Sequence, residues 1–327
     1  MSVRAIFHAA KVKGTISPYD TIHLKVFYPA QISGNSPEQN RGFLPADAQK
    51  SPFKVVIFFN GINCSMESYQ WLAVKLAERG LVVVTFCWIA QNLPGIVGIT
   101  PGVDMKNLAP NTYGTSPTAS ALPTLLAALE NLQAVGVLAG LLDLQHIILG
   151  GHSAGGRVAI ENANPQFFPQ VVAAFSYGAH SAAVMQLGYA SGTILPLPDA
   201  LPLMLIGGTR DGVIARNGAL YGVTWEQATT PIKRTFAEGI SGGRNDSYLL
   251  LLEGANHFTI THPQDKTTGT TALDFPVTQL EEPLRNLMVD AIALFIDAHV
   301  RSQPTAIVAL NRLVESHQPE IAAFECK

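Results

Sequence analysis

Residues 145–156 read Gln-His-Ile-Ile-Leu-Gly-Gly-His-Ser-Ala-Gly-Gly, an apolar run that ends in Gly151-His152-Ser153-Ala154-Gly155. Ile147, Ile148 and Leu149 supply a short buried strand, and residues 157–162 continue as a helix. A serine between the two must stand on a tight, strained turn, so its neighbours two before and two after must lack a Cβ. The pattern therefore predicts a strand, a sharp turn and a helix in that order, with Ser153 at the strand's carboxyl end.

The rest of the chain keeps the same alternation. Ile22, Leu24, Val26 and Tyr28 alternate as an edge strand, and residues 33–51 form a polar loop with Pro and Gly. Residues 54–59 and 81–88 read as buried strands around an amphipathic helix at 68–79. Residues 91–117 are irregular, 118–133 are helical, and 146–150 and 154–164 are the strand and helix flanking Ser153. Further strands are predicted at 171–177, 203–207 and 248–253, with helices at 283–300 and 305–316. Buried strands alternating with helices predict an α/β fold, a mostly parallel sheet with helices on both faces.

Apolar residues make up 47% of the chain and charged residues only 14%, against about a quarter charged in an average domain. A large core and a sparsely charged surface follow, which suit an apolar ligand, a self-association surface in a homo-oligomer, or both. The net charge of −3 offers no basic face to nucleic acid. The longest uncharged apolar run, 81–90, is too short for a transmembrane segment. The first residues hold no long apolar stretch of the secretory kind, so the chain reads as cytoplasmic unless a signal has been removed. Cys64, Cys87 and Cys326 do not make a disulfide framework. Cys64 and Cys87 each follow a strand and could approach one another, but unpaired cysteine is the commoner state. His23, His180 and His262 have no metal-ligand spacing, and there is no dinucleotide fingerprint. No metal and no cofactor are expected.

A serine hydroxyl needs a base to take its proton, and the base needs an acid to hold it. Asp211 follows the apolar run Leu203-Met204-Leu205-Ile206 and a Gly-Gly turn. His257 follows Tyr248-Leu249-Leu250-Leu251-Leu252 and a second turn. Both fall at the carboxyl ends of strands, in the chain order Ser, Asp, His. Glu253, inside a strand, and Asp246, in a Gly-rich loop, are worse-placed acids. Two backbone N–H groups must face the developing oxyanion. One comes from Ala154. The other is assigned to Ile62, in the loop after residues 54–59, with Gly61 and Asn63 as alternatives. Cys64 and Ser65 lie on that loop but not on a strand-to-helix turn. His152 is expected to leave the turn on the far side, in a structural role. Trp88, Tyr113, Tyr177 and Phe258 are the candidate pocket aromatics for binding substrate.

Over roughly residues 20–300 the chain resembles the α/β-hydrolase superfamily. Within it the chain is similar to the group holding chlorophyllases, bacterial cutinases and polyester hydrolases, and platelet-activating-factor acetylhydrolase-like and dienelactone-hydrolase-like proteins. The resemblance is carried by Val55-Val56-Ile57-Phe58-Phe59-Asn60-Gly61-Ile62, Gly151-His152-Ser153-Ala154-Gly155-Gly156, Gly207-Gly208-Thr209-Arg210-Asp211 and Gly254-Ala255-Asn256-His257-Phe258. It implies an α/β-hydrolase fold with a mostly parallel eight-stranded sheet, in one domain over 1–327. Pocket-covering insertions fall near 91–117, 181–201 and 212–246. It also implies a serine esterase that cleaves a small-molecule carboxylic ester, lipophilic by the composition, through an acyl-enzyme and without a cofactor. A chlorophyllase-like or lipase-like hydrolase of a membrane pigment or lipid is the second reading, and a non-catalytic ligand-binding member the third. The chain departs from the group's subfamilies at several points. Dienelactone hydrolases carry cysteine where Ser153 stands, chlorophyllases Arg and cutinases Met where Ala154 stands, and polyester hydrolases an aromatic residue where Ile62 stands.

Overall fold

Strands β1 (Ser2–Lys11) and β2 (Thr21–Ala30) form an antiparallel hairpin. Then follow β3 (Phe53–Phe59), α1 (Gln70–Glu78), β4 (Val82–Leu93), β5 (Ile96–Ile99), α2 (Leu122–Ala134) and β6 (Leu142–His152). Next come α3 (Ala154–Glu161), β7 (Val171–Tyr177), β8 (Leu203–Gly208), α4 (Gly212–Arg216), α5 (Thr230–Gly239) and β9 (Ser247–Leu252). Helices α6 (Glu281–His299) and α7 (Pro304–Ser316) and strand β10 (Ile321–Cys326) complete the order. The computed structural model describes residues 2–31, 44–93, 95–316 and 318–327, so much of the polar loop expected over 33–51 lies outside the described residues.

The sheet order is β1-β2-β4-β3-β6-β7-β8-β9-β10, with β5 paired to β4 alone. The central run from β4 to β9 is parallel; β1, β2, β5 and β10 are antiparallel additions. Along β3 the strand period of two divides the side chains between two cores. Phe53, Val55, Ile57 and Phe59 join Leu122, Leu125 and Leu129 of α2, Val158 of α3 and Phe236 of α5. Val56 and Phe58 pack on the opposite face with Leu72 and Leu76 of α1, Phe295 of α6 and Leu310 of α7. A strand buried on both faces has no polar side, which is why these segments read as unbroken apolar runs.

The sheet has ten strands rather than the expected eight. Strand β1 pairs with β2 along its whole length but is half-exposed, so it carries no apolar alternation. Residues 91–117 are less irregular than expected, because β4 runs on to Leu93 and β5 folds back on it. The helix expected from 118 begins at Leu122 instead. The Thr118 and Ala119 N–H groups are bonded to Asn162 Oδ1, at 3.0 and 3.3 Å, rather than being committed to a helix.

Because the six central strands run the same way, their carboxyl-end loops converge on one edge. Ile62 follows β3, Ser153 follows β6, Gly178 follows β7, Asp211 follows β8 and His257 follows β9. Among the described residues no helix is long and apolar enough to cross a membrane. None of the three cysteines is bridged.

Candidate active site

Ser153 takes φ 55° and ψ −125°, a backbone state that non-glycine residues rarely adopt. The turn is held by its N–H, which donates to the Tyr177 carbonyl at 2.9 Å. A Cβ on Gly151 would overlap the Gly155 carbonyl, and one on Gly155 would overlap the Phe59 and Asn60 carbonyls. The two glycines let β6, α3 and the end of β3 pack backbone against backbone, and Ser153 is left at the crest.

His257 and Asp211 meet although their strands are separate in sequence. His257 Nδ1 lies 2.7 Å from Asp211 Oδ2, and the two residues are 2% and 1% exposed. The other carboxylate oxygen, Oδ1, accepts the Ile214 N–H at 2.9 Å as the cap of α4. Both oxygens are committed, so the carboxylate cannot rotate freely. A carboxylate only accepts, so Nδ1 carries the ring proton and Nε2 keeps its lone pair. Burial pushes the His257 pKa down, but the charge and hydrogen bond of Asp211, with the charge of Asp274, outweigh it and raise the value. The rival acids lie elsewhere: Asp246 accepts from Arg244 Nε at 2.9 Å, and Glu253 lines a separate surface cavity. The Arg210 guanidinium turns onto the Phe275 ring, 5.4 Å from its centroid.

Sequence reading missed two residues at this pair. A Cβ on Gly178 would stand 3.1 Å from His257 Nδ1 and 3.3 Å from Asp211 Oδ2. Asp274 accepts the Gly212 N–H at 2.9 Å and the Phe258 N–H at 3.2 Å, joining the Asp211 loop to the His257 loop. Burial, then the Asp211 charge, raises the Asp274 pKa.

The loop after β3 leaves one donor unspent. The Gly61 N–H donates to Tyr69 Oη at 3.0 Å. The Asn63 N–H donates to the Ile99 carbonyl at 2.9 Å, while Asn63 Oδ1 accepts the Ile99 N–H at 3.1 Å. Among the described residues the Ile62 N–H has no protein partner. Ile62 and Ala154 both line the cavity that holds Ser153 and His257, and Ala154 opens α3, where N–H groups are free.

His152 belongs to a buried chain of hydrogen bonds. Tyr69 Oη lies 2.9 Å from His152 Nδ1, and His152 Nε2 lies 2.9 Å from the His257 carbonyl. A carbonyl only accepts, so Nε2–H donates to it and the Tyr69 O–H donates to Nδ1. Burial holds the His152 pKa well below its ordinary value, so the ring is neutral. The Gly61 loop is thereby tied to the backbone of His257. Tyr69→Phe leaves the Gly61 N–H and His152 Nδ1 buried without partners, at an expected cost of about 1–3 kcal/mol. A lowered urea midpoint with an unchanged slope would register it.

The cavity has a volume of about 250 Å³. Each insertion supplies a wall: Met105 and Leu108 from 91–117, Val184 from 181–201, and Ile214 and Tyr221 from 212–246. None of the four candidate pocket aromatics lines it. Trp88 is in the core with Nε1 donating to the Tyr19 carbonyl, and the Tyr177 hydroxyl, beneath the site, donates to the Asn256 carbonyl. Phe258 packs edge-on to the His257 ring. Tyr113 lines a neighbouring cavity and donates to the Pro196 carbonyl. Among the described residues, Tyr221 is the Phe, Tyr or Trp side chain at the cavity, and it lies within a short 3-10 turn that gives no apolar periodicity.

No family model matches the chain, and no curated protein matches it in sequence. Solved structures do match, 510 chains of them, so the architecture is a common one, and a common fold does not name an activity. One is a ferulic acid esterase from Streptomyces cinnamoneus, similar over 92% of this chain and 91% of that one, with a TM-score of 0.57 and 16% identity. At that identity the likeness speaks for architecture. The chain has the α/β-hydrolase fold.

Proposed function

We propose that the protein is a serine hydrolase that cleaves carboxylic esters through an acyl-enzyme. The observation that carries this is one cavity edge bearing a strained Ser153, a His257 oriented by Asp211, and the unspent Ile62 N–H beside Ala154. Ser153 attacks the ester carbonyl while His257 Nε2 accepts its proton. Asp211 stabilises the imidazolium, and the Ile62 and Ala154 N–H groups hold the oxyanion. His257 then returns the proton to the leaving alcohol. Water, activated in the same way, releases the acid and restores Ser153. The apolar walls favour a lipophilic acyl group, and 250 Å³ holds about eight water-sized volumes.

Hydrolysis of p-nitrophenyl esters of graded acyl length tests the reading. Turnover should be highest for short and medium acyl chains and fall once the chain outgrows the cavity. Failure to hydrolyse any member of the series would leave a ligand-binding protein on a hydrolase fold.

The pH profile follows from the raised His257 pKa. The base works only as neutral imidazole, so kcat/KM should fall as pH drops through a midpoint above the ordinary 6.5. Asp274→Asn removes one of the charges that raise it, so the acid limb should move to lower pH. An acid limb unmoved by that change would assign the titration to another group.

A further inference from the structure

Ser153, Arg157 and Glu161 are spaced by four along α3 and its cap, so they share one helix face. With a rise of about 1.5 Å per residue, Arg157 lies ~6 Å and Glu161 ~12 Å along the axis from Ser153. All three line the cavity. Arg157 Nε donates to Glu161 Oε1 at 2.7 Å, and Nη1 donates to the Ala182 carbonyl at 2.7 Å. Glu161 Oε2 accepts the Thr118 hydroxyl at 3.0 Å. The guanidinium charge is therefore already balanced inside the wall.

His180 lines the same cavity and is 7% exposed. Its Nδ1 accepts the Ala182 N–H at 3.2 Å, which puts the ring proton on Nε2. Burial, with the Arg157 charge, takes its pKa down to about 3, so the ring stays neutral. The ring is fixed edge-on against Tyr221 at 4.9 Å and Trp225 at 6.3 Å. Among the described residues no protein group accepts from the His180 Nε2–H, and the Tyr221 hydroxyl has no partner. The Tyr189 hydroxyl, in the field of the same ion pair, is buried without a partner.

Resting on the serine-hydrolase reading, we propose that the cavity selects acyl groups that are apolar beside the carbonyl and carry a neutral oxygen acceptor further along the acyl chain. His180 Nε2–H is the donor to that oxygen. A ketone or ether oxygen satisfies it. A carboxylate there meets Glu161 with no free cation, because Arg157 is committed. A plain alkyl chain covers the His180 Nε2–H and leaves it without an acceptor. The donor is assigned to the acyl half of the ester because that half stays bound through both half-reactions, whereas the alcohol must leave before water attacks.

The test compares p-nitrophenyl 5-oxohexanoate with p-nitrophenyl hexanoate and with the p-nitrophenyl monoester of adipic acid. The oxo ester should exceed the hexanoate about tenfold in kcat/KM, chiefly through KM, as one hydrogen bond allows. The adipate monoester should fall below both. In His180→Phe the ratio of oxo ester to hexanoate should drop to near one, and losses common to the two esters cancel in that ratio. Equal kcat/KM for these two esters in the unaltered protein, or a preference that survives in His180→Phe, would overturn the inference while leaving the hydrolase reading standing. Turnover of none of the three would remove both.

Discussion

Ser153→Ala should lower kcat for a short p-nitrophenyl ester by roughly 10⁴- to 10⁶-fold and leave the fold intact. Alanine keeps the Cβ that the strained turn already accommodates, and the turn is held from outside by the Tyr177 carbonyl and the glycine contacts, not by the hydroxyl. The residual rate should come from the proposed Ile62 and Ala154 donors, which would still polarise the ester carbonyl. Circular dichroism and the thermal midpoint should match the parent. An equal loss of folded structure would mean that the hydroxyl supports the turn.

Asp211→Asn should cost about 10⁴-fold in kcat, for a reason that the geometry makes specific. The Ile214 N–H requires an acceptor at the Oδ1 position, so the asparagine oxygen is retained there and its NH₂ faces His257 Nδ1. Two donors cannot share that contact. Nδ1 must become the acceptor and the ring proton moves to Nε2, where it blocks uptake of the Ser153 proton. The loss should appear in kcat, while KM for a short ester changes little. Asp246→Asn, which breaks a pair with Arg244 away from the site, should leave turnover nearly unaltered. A larger effect at Asp246 than at Asp211 would reverse the assignment.

The turn at Ser153 was legible because its constraint is local. Gly151 and Gly155 flank Ser153 in sequence and meet each other in space. Asp211 and His257 could be placed together because a buried parallel strand is an unbroken apolar run whose end is readable in sequence, and both residues follow such ends. The added strands were not legible. Strand β1 mixes Arg4 and His8 among apolar residues on an edge, and β10 has mostly half-exposed or exposed side chains. Neither carries the apolar signature of a central strand. Asp274, Gly178 and the Tyr69–His152 chain were missed for a different reason. Each acts through a partner distant in sequence, as Tyr69 does on His152, 83 positions away, and no local pattern marks such a pairing. The four candidate pocket aromatics fall off the cavity lining because a place near the site along the chain does not fix which way a ring points.

In the proposed reaction Ser153 forms the covalent bond to the acyl group. Diethyl p-nitrophenyl phosphate transfers a diethylphosphoryl group to an activated serine and releases p-nitrophenolate. The labelled protein can be digested and the modified peptide sequenced by mass spectrometry. One phosphoryl group per chain is expected on Ser153, with loss of ester hydrolysis in step with labelling and no label in Ser153→Ala. Label on Ser65 or Cys64, or undiminished hydrolysis by a chain carrying the group on Ser153, would exclude Ser153 as the nucleophile.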